Sequence, residues 1–274
     1  MEKLSIELLK KKADYIRKDV VDISIKNGAG HIAPSLSSID ILVSLYYNIL
    51  NINNDPKWED RDRLIFSKAH GVYGLYSILS DIGYIPREEW QNFYKGSCLS
   101  GCVEKNNDFG LEAGCGSLGH GLPIAAGIAF GAKLIGKKFN VFCIIGDGEM
   151  QEGSNWEAIQ FAVKHELKNL FIIVDNNKLQ AMDFTENVLT VKDRKDDLLK
   201  KLDAFGFEAL ECKGHDIDSL LNSFESLSKS RYNKPSAIIA DTTKGYGLYC
   251  MENVPKFHFR IPTEEELHLG NRYE

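Results

Sequence analysis

Two oxygen-bearing side chains stand at points where apolar segments of the sequence end. Asp147 lies in the motif Gly146-Asp147-Gly148, and Asn177 follows a second such segment. A carboxylate and an amide oxygen, together with a main-chain carbonyl such as that of Leu179, are hard ligands that suit Mg²⁺ or Ca²⁺. These residues therefore predict a divalent metal site, with diphosphate oxygens and water as the remaining ligands.

The two glycines of the motif suit a phosphate group. Without a Cβ atom, Gly146 and Gly148 let main-chain N–H groups approach phosphate oxygens closely. A helix is expected to begin shortly after the motif, and the amino terminus of a helix favours anions. Glycine and aspartate are also common in ordinary turns, so the motif alone predicts only a turn in most proteins. Its combination with Asn177 favours a metal and diphosphate site.

A strand, a helix and a second strand are predicted to position these side chains. Residues 141–145 and 171–175 are apolar enough for buried strands, and the spacing between them predicts a helix that begins with a capping box of Ser154 and Glu157. The two candidate ligands are 177 − 147 = 30 positions apart, about the length of one such unit. A helical crossover makes the strands parallel, so both ligands are expected at one edge of the sheet.

The remaining elements complete an α/β pattern. The other predicted helices are residues 6–26, ending at Asn27-Gly28, residues 38–50 and residues 119–134, and the other predicted strands are residues 64–66, 206–210 and 236–240. Gly127-x-x-x-Gly131 predicts close packing against a neighbour. Residues 184–203 are charged, which predicts a loop and a surface helix. The predicted fold class is α/β, with a doubly wound, mostly parallel sheet flanked by helices.

Composition limits the class of protein. The chain has 274 residues, a net charge of −6 and 43% hydrophobic residues, which fits one large domain with a sizeable core. The acidic balance argues against a nucleic-acid partner. The sequence has no apolar run of the length of a membrane span, and its first residues do not resemble a signal peptide. Six cysteines without a Cys-x-x-Cys pair are typical of reduced thiols in a cytoplasmic protein.

The arrangement of Gly146-Asp147-Gly148 with Asn177 resembles the thiamine diphosphate motif, and the surrounding residues are similar to those of transketolases. Five ordered blocks carry this resemblance: Gly30-His31 with residues 35–42, residues 60–71, residues 114–121, residues 146–153, and Lys244-Gly245-Tyr246-Gly247 with residues 251–258. Blocks in this order over almost the whole chain are a specific signal.

The resemblance implies a role for residues in every block. Asp147, Asn177 and the Leu179 carbonyl would hold the metal. The diphosphate would contact Gly146, Gly148 and His258, and the cofactor cleft beside the pyrimidine ring would be lined by Gly116, Leu118 and His120. His31 and His70 match the family's substrate and cofactor histidines. A neutral imidazole can give and take a hydroxyl proton near physiological pH, which suits work on a sugar.

Glu152 is implied to lie at an interface between two active sites. Carboxylates brought together there would share protons, because like charges that come close raise one pKa of the pair. The alternative for Glu152 is an exposed glutamate near the start of a helix, where the helix dipole favours it. The catalytic residues implied by the resemblance are thus His31, His70, His258 and Glu152.

The resemblance also implies one chain of a larger enzyme. Transketolases use thiamine diphosphate, with a divalent metal, to transfer a two-carbon ketol unit from a ketose or its phosphate to an aldose or its phosphate. They are more than twice as long as this chain and include a pyrimidine-binding domain. Residues 1–274 would form a single diphosphate-binding domain, without pyrimidine-binding and carboxyl-terminal domains. The expected partner is a carboxyl-terminal transketolase subunit that carries the pyrimidine-binding domain, in an α2β2 assembly.

Two positions depart from the family pattern. Transketolases usually have threonine where Cys115 stands, and a Gly-His-Pro sequence, whose histidine touches the donor sugar, at the position of Ser100-Gly101-Cys102. These departures leave open a non-catalytic scaffold or degenerate half-subunit. The α-subunit of a 2-oxoacid decarboxylating dehydrogenase is a further alternative, although the first two histidine-containing blocks do not support it. The histidines without comparable context are interpreted as structural: His165, His215 and His268.

Overall fold

The computed structural model of the chain describes residues 3–189, 197–229 and 233–268. Within these residues the centre of the fold is a five-stranded parallel sheet with the order β1-β2-β3-β5-β4. The strands are β1 (Arg63–Phe66), β2 (Val141–Gly146), β3 (Leu170–Asn176), β4 (Glu208–Lys213) and β5 (Ser236–Asp241). β2 and β3 are almost continuous runs of buried apolar residues, as expected when both faces of a parallel sheet are covered.

The helices vary from one turn to six turns in length. They are α1 (Ile6–Asn27), α2 (Ile32–Leu36), α3 (Ile39–Ser44), α4 (Tyr73–Asp81), α5 (Arg87–Gln91), α6 (Gly121–Leu134), α7 (Gly153–Lys164), α8 (Thr185–Val188), α9 (Leu198–Phe205), α10 (Ile217–Ser228) and α11 (Glu264–His268). A π-helical turn, Leu45–Ile49, continues α3, and short 3₁₀ turns include Gly148–Gln151 after β2 and Pro255–His258 before α11.

The helices form two layers. α6 packs against α7, and α7 packs against α9, while α10 packs against α3 and α1. The chain moves in one direction across the sheet from β1 to β4 and then returns to insert β5 between β3 and β4. Because crossovers between parallel strands are right-handed, the returning connection places α10 on the face opposite to α7. The sheet is therefore doubly wound, which confirms the predicted fold class.

The register aligns the carboxyl ends of three central strands. Gly146 pairs with Asp175, and Asn176 pairs with Asp241. β2, β3 and β5 therefore end in almost the same row, and the loops that follow them emerge side by side. This edge is where ligands bind in open α/β folds.

Most predicted elements are confirmed. α1 ends at the predicted glycine, because Gly28 adopts a left-handed φ of 82° and its N–H donates to the carbonyls of Ser24 and Ile25. The helix predicted for residues 38–50 is α3 with its π-helical turn. β4 is the least accurate of the predicted strands: Gly206 ends α9 with a φ of 101°, so the strand begins at Glu208.

The predicted capping box is wrong. α7 begins at Gly153, one residue before the predicted cap, and its N-cap residue, Glu152, makes no side-chain capping hydrogen bond. The hydroxyl of Ser154 instead donates to the carbonyl oxygen of Gly119, at 2.7 Å. A contact to the loop before α6 has replaced the local cap, and sequence spacing alone does not show such a contact.

The predicted packing role of Gly127 and Gly131 is also wrong for the chain by itself. In the part of the chain that the structure describes, no atom outside the adjacent backbone of α6 lies within 4 Å of a Cβ added at either glycine. Leu134 follows on the same helix and is 69% exposed. This stretch of α6 is thus an open surface of small and apolar residues.

The charged region predicted as loop and surface helix contains α8 and α9. Residues 190–196 of that region lie outside the described residues. The six cysteines are free thiols, and Cys143 is buried in β2 as predicted. In the described parts of the chain, every helix is too short or too polar to cross a membrane.

Candidate cofactor and substrate site

A cavity of about 230 Å³ opens at the carboxyl edge of the sheet. Its walls come from the loops after β1, β2 and β3 and from the segment after β5. Many of the residues singled out in the sequence line it: His70, Leu118, Gly146, Asp147, Gly148, Glu152, Asn177, Leu179 and His258. The sequence therefore located most of one continuous site.

Asp147 is a buried carboxylate without a cationic partner in direct contact among the described residues. One of its oxygens accepts a hydrogen bond from the N–H of Gly148, at 2.7 Å, and the other accepts one from the N–H of Lys178. Burial raises the pKa of Asp147 to about 6, and the nearby negative charge of Asp175 adds to the effect. The site thus has an incompletely balanced negative charge, which a bound cation would stabilise.

Asn177 and Leu179 flank a strained residue at the end of β3. Lys178 adopts a left-handed φ of 63°, a conformation that costs a non-glycine residue roughly 1 kcal/mol. The amide oxygen of Asn177 accepts from the N–H of Leu179, at 3.1 Å. Strain of this kind is common where a loop must present groups to a ligand. Asn177 and Leu179 both line the cavity that also holds Asp147.

A buried ion pair supports the floor of the site. The ammonium of Lys68 pairs with Asp175 and donates to the carbonyl oxygen of Pro34, at 2.8 Å. Asp175 also accepts from the hydroxyls of Ser37 and Thr242. Burial alone would raise the pKa of Asp175, but the charge of Lys68 and these donors lower it on balance. The negative charge of Asp175 is therefore balanced by Lys68, within the chain.

Lys244 is a second buried cation, and it contacts one of the candidate metal ligands. Its ammonium donates to the carbonyl oxygen of Leu179, at 3.0 Å, and lies 2.7 Å from Nδ1 of His258. Burial lowers the pKa of Lys244 to about 8, and the charge of Lys68 lowers it further. The sequence analysis did not single out Lys68 and Lys244 individually. Both lie in the blocks that resemble transketolases, which are the only signal that could have found them.

His31, His70 and His258 form a cluster at one end of the cavity. The centroid of the His70 ring lies 5.4 Å from that of His31 and 5.1 Å from that of His258. Burial lowers the pKa of His31 to about 4 and that of His258 to about 3, and the charge of Lys244 contributes to both. Burial also holds the pKa of His70 well below its ordinary value. All three imidazoles are therefore neutral at physiological pH, and each can donate one hydrogen bond and accept another.

Glu149 is a further residue that the sequence analysis missed. Its carboxylate accepts from the hydroxyl of Ser67, at 2.5 Å, from the N–H of Gly119, at 3.0 Å, and from the N–H of Gly146, at 3.2 Å. Burial raises its pKa. Glu149 thus ties the loops after β1 and β2 to the loop before α6. Its position in the block of residues 146–153 is the only sequence signal for it.

Three of the predicted residues do not line the cavity. Gly116 and His120 are exposed on the loop that leads into α6, while Leu118, between them, does reach the cavity. The third, His31, contacts the site through its ring neighbours rather than through the cavity wall. Glu152 lines the cavity but is largely exposed at the start of α7.

The residues present fit a divalent cation with an anionic group. Asp147 supplies the unbalanced charge, and Nε2 of Gln180 is buried in the wall without a hydrogen-bond partner among the described residues. A Cβ added at Gly148 would press against the side chain of Gln180, at 3.0 Å, so glycine keeps this space open. Within the described residues, no three histidine, cysteine, aspartate or glutamate side chains are arranged to hold a metal ion.

An acidic Gly-Asp-Gly loop and an asparagine loop lie side by side at the carboxyl edge of a parallel sheet, where open α/β domains bind their ligands. Comparison with known proteins makes the class specific. Residues 8–269 match the family model described as transketolase, thiamine diphosphate binding domain. The chain belongs to the transketolase family.

Its relatives include other short transketolase chains. It is 43% identical to one of the subunits of apulose-4-phosphate transketolase from Actinobacillus succinogenes, over 97% of this chain and 96% of that protein. It is 33% identical to the 6-deoxy-6-sulfo-D-fructose transketolase subunit SqwG of a Clostridium species, over 94% and 92% of the two chains. A crystal structure of transketolase from Campylobacter jejuni superposes with a TM-score of 0.86 at 32% identity, covering 96% of this chain but 42% of that one.

These comparisons confirm the family expected from the sequence. The chain is similar to the amino-terminal subunits of split transketolases, and its enzyme class is that of a thiamine diphosphate-dependent transferase that acts with a partner subunit. Ketol transfer is the reaction of this class. The scaffold and 2-oxoacid dehydrogenase alternatives are not favoured.

Proposed function

We propose that the chain binds thiamine diphosphate through Mg²⁺, or Ca²⁺, held by Asp147, Asn177 and the carbonyl oxygen of Leu179. The observation that carries the proposal is the buried carboxylate of Asp147, which has no cation in direct contact among the described residues and lines the same cavity as Asn177 and Leu179. A divalent cation would remove the cost of this buried charge. Ca²⁺ and Mg²⁺ both prefer such oxygen ligands, so the donor set does not discriminate between them.

The diphosphate group would lie over Gly146 and Gly148, with His258 and the ammonium of Lys244 beside it. Gln180 has an unused N–H donor in this wall. The bound cofactor would supply a nucleophilic carbon and an electron sink for carbon–carbon bond cleavage, chemistry that amino-acid side chains lack. The contribution of the chain is to hold the charge of the diphosphate and to fix its orientation.

Proton transfer on the sugar would fall to the histidine cluster. His31 and His70 are neutral in this environment, and Nδ1 of His31 is buried without a partner among the described residues. An imidazole in this state can accept a proton from a sugar hydroxyl and return it later. The ammonium of Lys244 donates to Nδ1 of His258, so Nε2 of that neutral ring carries the proton and is available as a donor.

A second chain would complete the site. We propose that residues 1–274 form a single diphosphate-binding domain and that a carboxyl-terminal transketolase subunit supplies the pyrimidine-binding domain, in an α2β2 assembly. The pyrimidine ring would lie against Gly116, Leu118 and His120. The open face of α6 and the exposed Glu152 favour contact between two copies of this chain, which would bring the glutamates of two active sites together.

We propose that the substrates are sugar phosphates. The basis is the activity for which the relatives are named, since two transketolase chains that are 43% and 36% identical to this one are named for apulose 4-phosphate. We also propose a cytoplasmic location, because six free thiols are typical of a reducing compartment.

Cofactor titration of the chain mixed with its partner subunit tests the metal assignment. Isothermal calorimetry should detect binding of thiamine diphosphate only with Mg²⁺ present, and Asp147→Ala should abolish it. Asp241→Ala is the matched control, because this carboxylate ends β5 at the same edge of the sheet but is exposed and pairs with Lys178. Cofactor binding that survives in Asp147→Ala would refute the assignment, and ketol transfer that is absent from the wild-type complex would refute the proposed reaction.

A further inference from the structure

Phe259 is an aromatic side chain left in the open beside the histidine cluster. It is 60% exposed, although it directly follows the half-buried His258. The centroid of its ring lies 4.5 Å from that of His31, and the two rings are inclined by 57°. Phe259 is therefore an exposed aromatic ring in direct contact with a residue of the histidine cluster.

The backbone of Phe259 is held firmly in this place. A Cβ added at Gly30 would overlap the carbonyl oxygen of Phe259 and lie 3.1 Å from its ring atom Cδ2, so the two segments can approach only because residue 30 is glycine. On one side Phe257 is buried in the core. On the other side Arg260 forms an ion pair with Glu266, at 2.5 Å. The exposed ring is therefore part of a fixed wall.

The ring of His31 is bordered by four others, and they differ in exposure. Tyr73 is fully buried, and its ring centroid is 6.5 Å from that of His31. His70 and His258 are half-buried on the cavity side. Phe259 is the exposed member of the group. Phe259 is therefore the ring of this group that is most accessible to a molecule in solvent.

We propose that Phe259 determines substrate specificity by packing against the carbon chain of the sugar, beyond the two carbons that are transferred. This inference rests on the proposed function, in which His31 contacts the substrate. The C–H groups along a sugar chain are apolar enough to pack on an aromatic ring, whereas a small 2-oxoacid offers no such chain. Removal of the ring should thus weaken the binding of the sugar and leave the binding of smaller ketol donors almost unchanged.

The complex of the chain with its partner subunit, thiamine diphosphate and Mg²⁺ allows this to be measured. Two donors are compared: a ketose phosphate that the wild-type complex uses, chosen from apulose 4-phosphate and xylulose 5-phosphate, and hydroxypyruvate, which has the same ketol group but no sugar chain. In Phe259→Ala the KM for the ketose phosphate should rise roughly tenfold, the size of effect that a hydrophobic contact gives. The KM for hydroxypyruvate should change less than about twofold, because the removed ring made no contact with it.

Two further variants separate packing from damage to the fold. Phe259→Leu keeps an apolar side chain, so its KM for the ketose phosphate should lie between those of the wild type and Phe259→Ala. Tyr15→Ala is the control, because Tyr15 is also an exposed aromatic residue, at 47%, but lies on α1. Its KM values should equal those of the wild type.

Several results would overturn the inference. Equal changes in KM for both donors, or no change for either, would show that Phe259 does not contact the sugar chain. A weaker association of Phe259→Ala with the partner subunit, measured by sedimentation, would show instead that the ring is a subunit contact. If the wild-type complex transfers the ketol unit from neither donor, the proposed function fails.

Discussion

Asp19 and Asp147 are equally buried carboxylates, each 8% exposed, but they differ in the partners that surround them. Asp19, on α1, accepts hydrogen bonds from the hydroxyl of Ser77, at 2.6 Å, from Nε1 of Trp90, at 2.7 Å, and from the guanidinium of Arg87. In the described part of the chain, Asp147 accepts hydrogen bonds only from main-chain N–H groups. One carboxylate is in contact with a cation, and the other is not.

The pKa values follow this difference. Burial raises the pKa of both groups, but hydrogen bonds from Arg87, Ser77 and Trp90 lower that of Asp19 on balance. Burial raises the pKa of Asp147 to about 6 and Asp175 adds to it, while two main-chain donors and the charge of Lys68 offset only part of the rise. A buried charge that is fully paired serves the fold, whereas one that lacks a direct partner marks a place where a ligand completes the structure.

The largest expected effect concerns Asp19 and stability. Asp19→Ala would leave Nε1 of the buried Trp90 and the hydroxyl of Ser77 without their acceptor, which costs about 1–3 kcal/mol for each group, whereas Arg87 is 41% exposed and can bond to water instead. Urea unfolding should report a loss of that size. Asp22→Ala is the control, since Asp22 lies on the same helix but pairs with Lys18 at the surface, and its effect should stay within about 0.5 kcal/mol. If the two variants lose similar amounts of unfolding free energy, the buried hydrogen bonds of Asp19 stabilise the fold no more than a surface ion pair does.

The two carboxylates should also give opposite pH dependence in the absence of ligand. The folded pKa of Asp147, about 6, lies above the ordinary value of 3.8, so its contribution to stability falls as the pH rises from 3.8 towards 6. The pKa of Asp19 is lowered, so its contribution is complete above the ordinary value and is lost as the pH falls through the lowered value.

Asp147→Asn isolates the first of these effects. Relative to the wild type, the variant should gain stability by about 2.5 kcal/mol between pH 4 and pH 7, since each unit of pKa shift corresponds to about 1.4 kcal/mol and most of the shift is titrated in this window. Urea unfolding at intervals of one pH unit would measure the difference. If the unfolding free energies of the two proteins differ by a constant amount over this range, burial does not raise the pKa of Asp147.

Addition of the cofactor with its metal should also distinguish Asp147 from the carboxylates of α1. Thiamine diphosphate with Mg²⁺, at about one hundred times its dissociation constant, should stabilise the wild-type chain by about 2.7 kcal/mol. Asp147→Asn should gain none of this because it lacks the charge that holds the metal. The exposed variant Asp22→Ala should gain all of it. The measurement is the thermal midpoint with and without ligand, and an undiminished shift in Asp147→Asn would be the contrary result.

The smallest expected effect concerns the cation nearest to the proposed metal site. The ammonium of Lys244 donates to the carbonyl oxygen of Leu179, so it competes with a metal for that oxygen and repels it. Lys244→Met should therefore raise the affinity for Mg²⁺ alone by roughly tenfold, about 1.4 kcal/mol, as measured by calorimetry without cofactor. Lys178→Met, in the same loop but exposed, should leave that affinity within about twofold of the wild type. A lower affinity for Mg²⁺ in Lys244→Met than in the wild type would show that Lys244 does not compete with the metal for this oxygen.

The sequence predicted the strands and the residues at their ends because both depend on local patterns. Continuous apolar runs define β2 and β3, and polar residues stand where those runs stop. The rule that a helical crossover joins parallel strands then places Asp147 and Asn177 at one edge without further information. This part of the site needed no knowledge of side-chain contacts.

The charges that support the site could not be predicted in the same way. Lys68 pairs with Asp175, 107 positions away, and Trp90 donates to Asp19 across 71 positions. A lysine in the sequence shows no sign of whether it will be buried, because its burial depends on partners from distant segments. The failed capping box has the same cause, since the contact of Ser154 with Gly119 spans 35 positions and replaces a local bond.

The position of β5 has a consequence for the order in which the protein can fold. Among the described residues β5 is the last strand in the sequence, yet it lies inside the sheet between β3 and β4. Until residues 236–241 have been synthesised, β3 and β4 have no strand to join them, and the edge of β3 stays open to wrong partners. The segment that carries Lys244 and His258 follows β5 directly. During synthesis, cofactor binding should thus appear only after β5 and this segment have emerged, so thiamine diphosphate would report completion of the sheet.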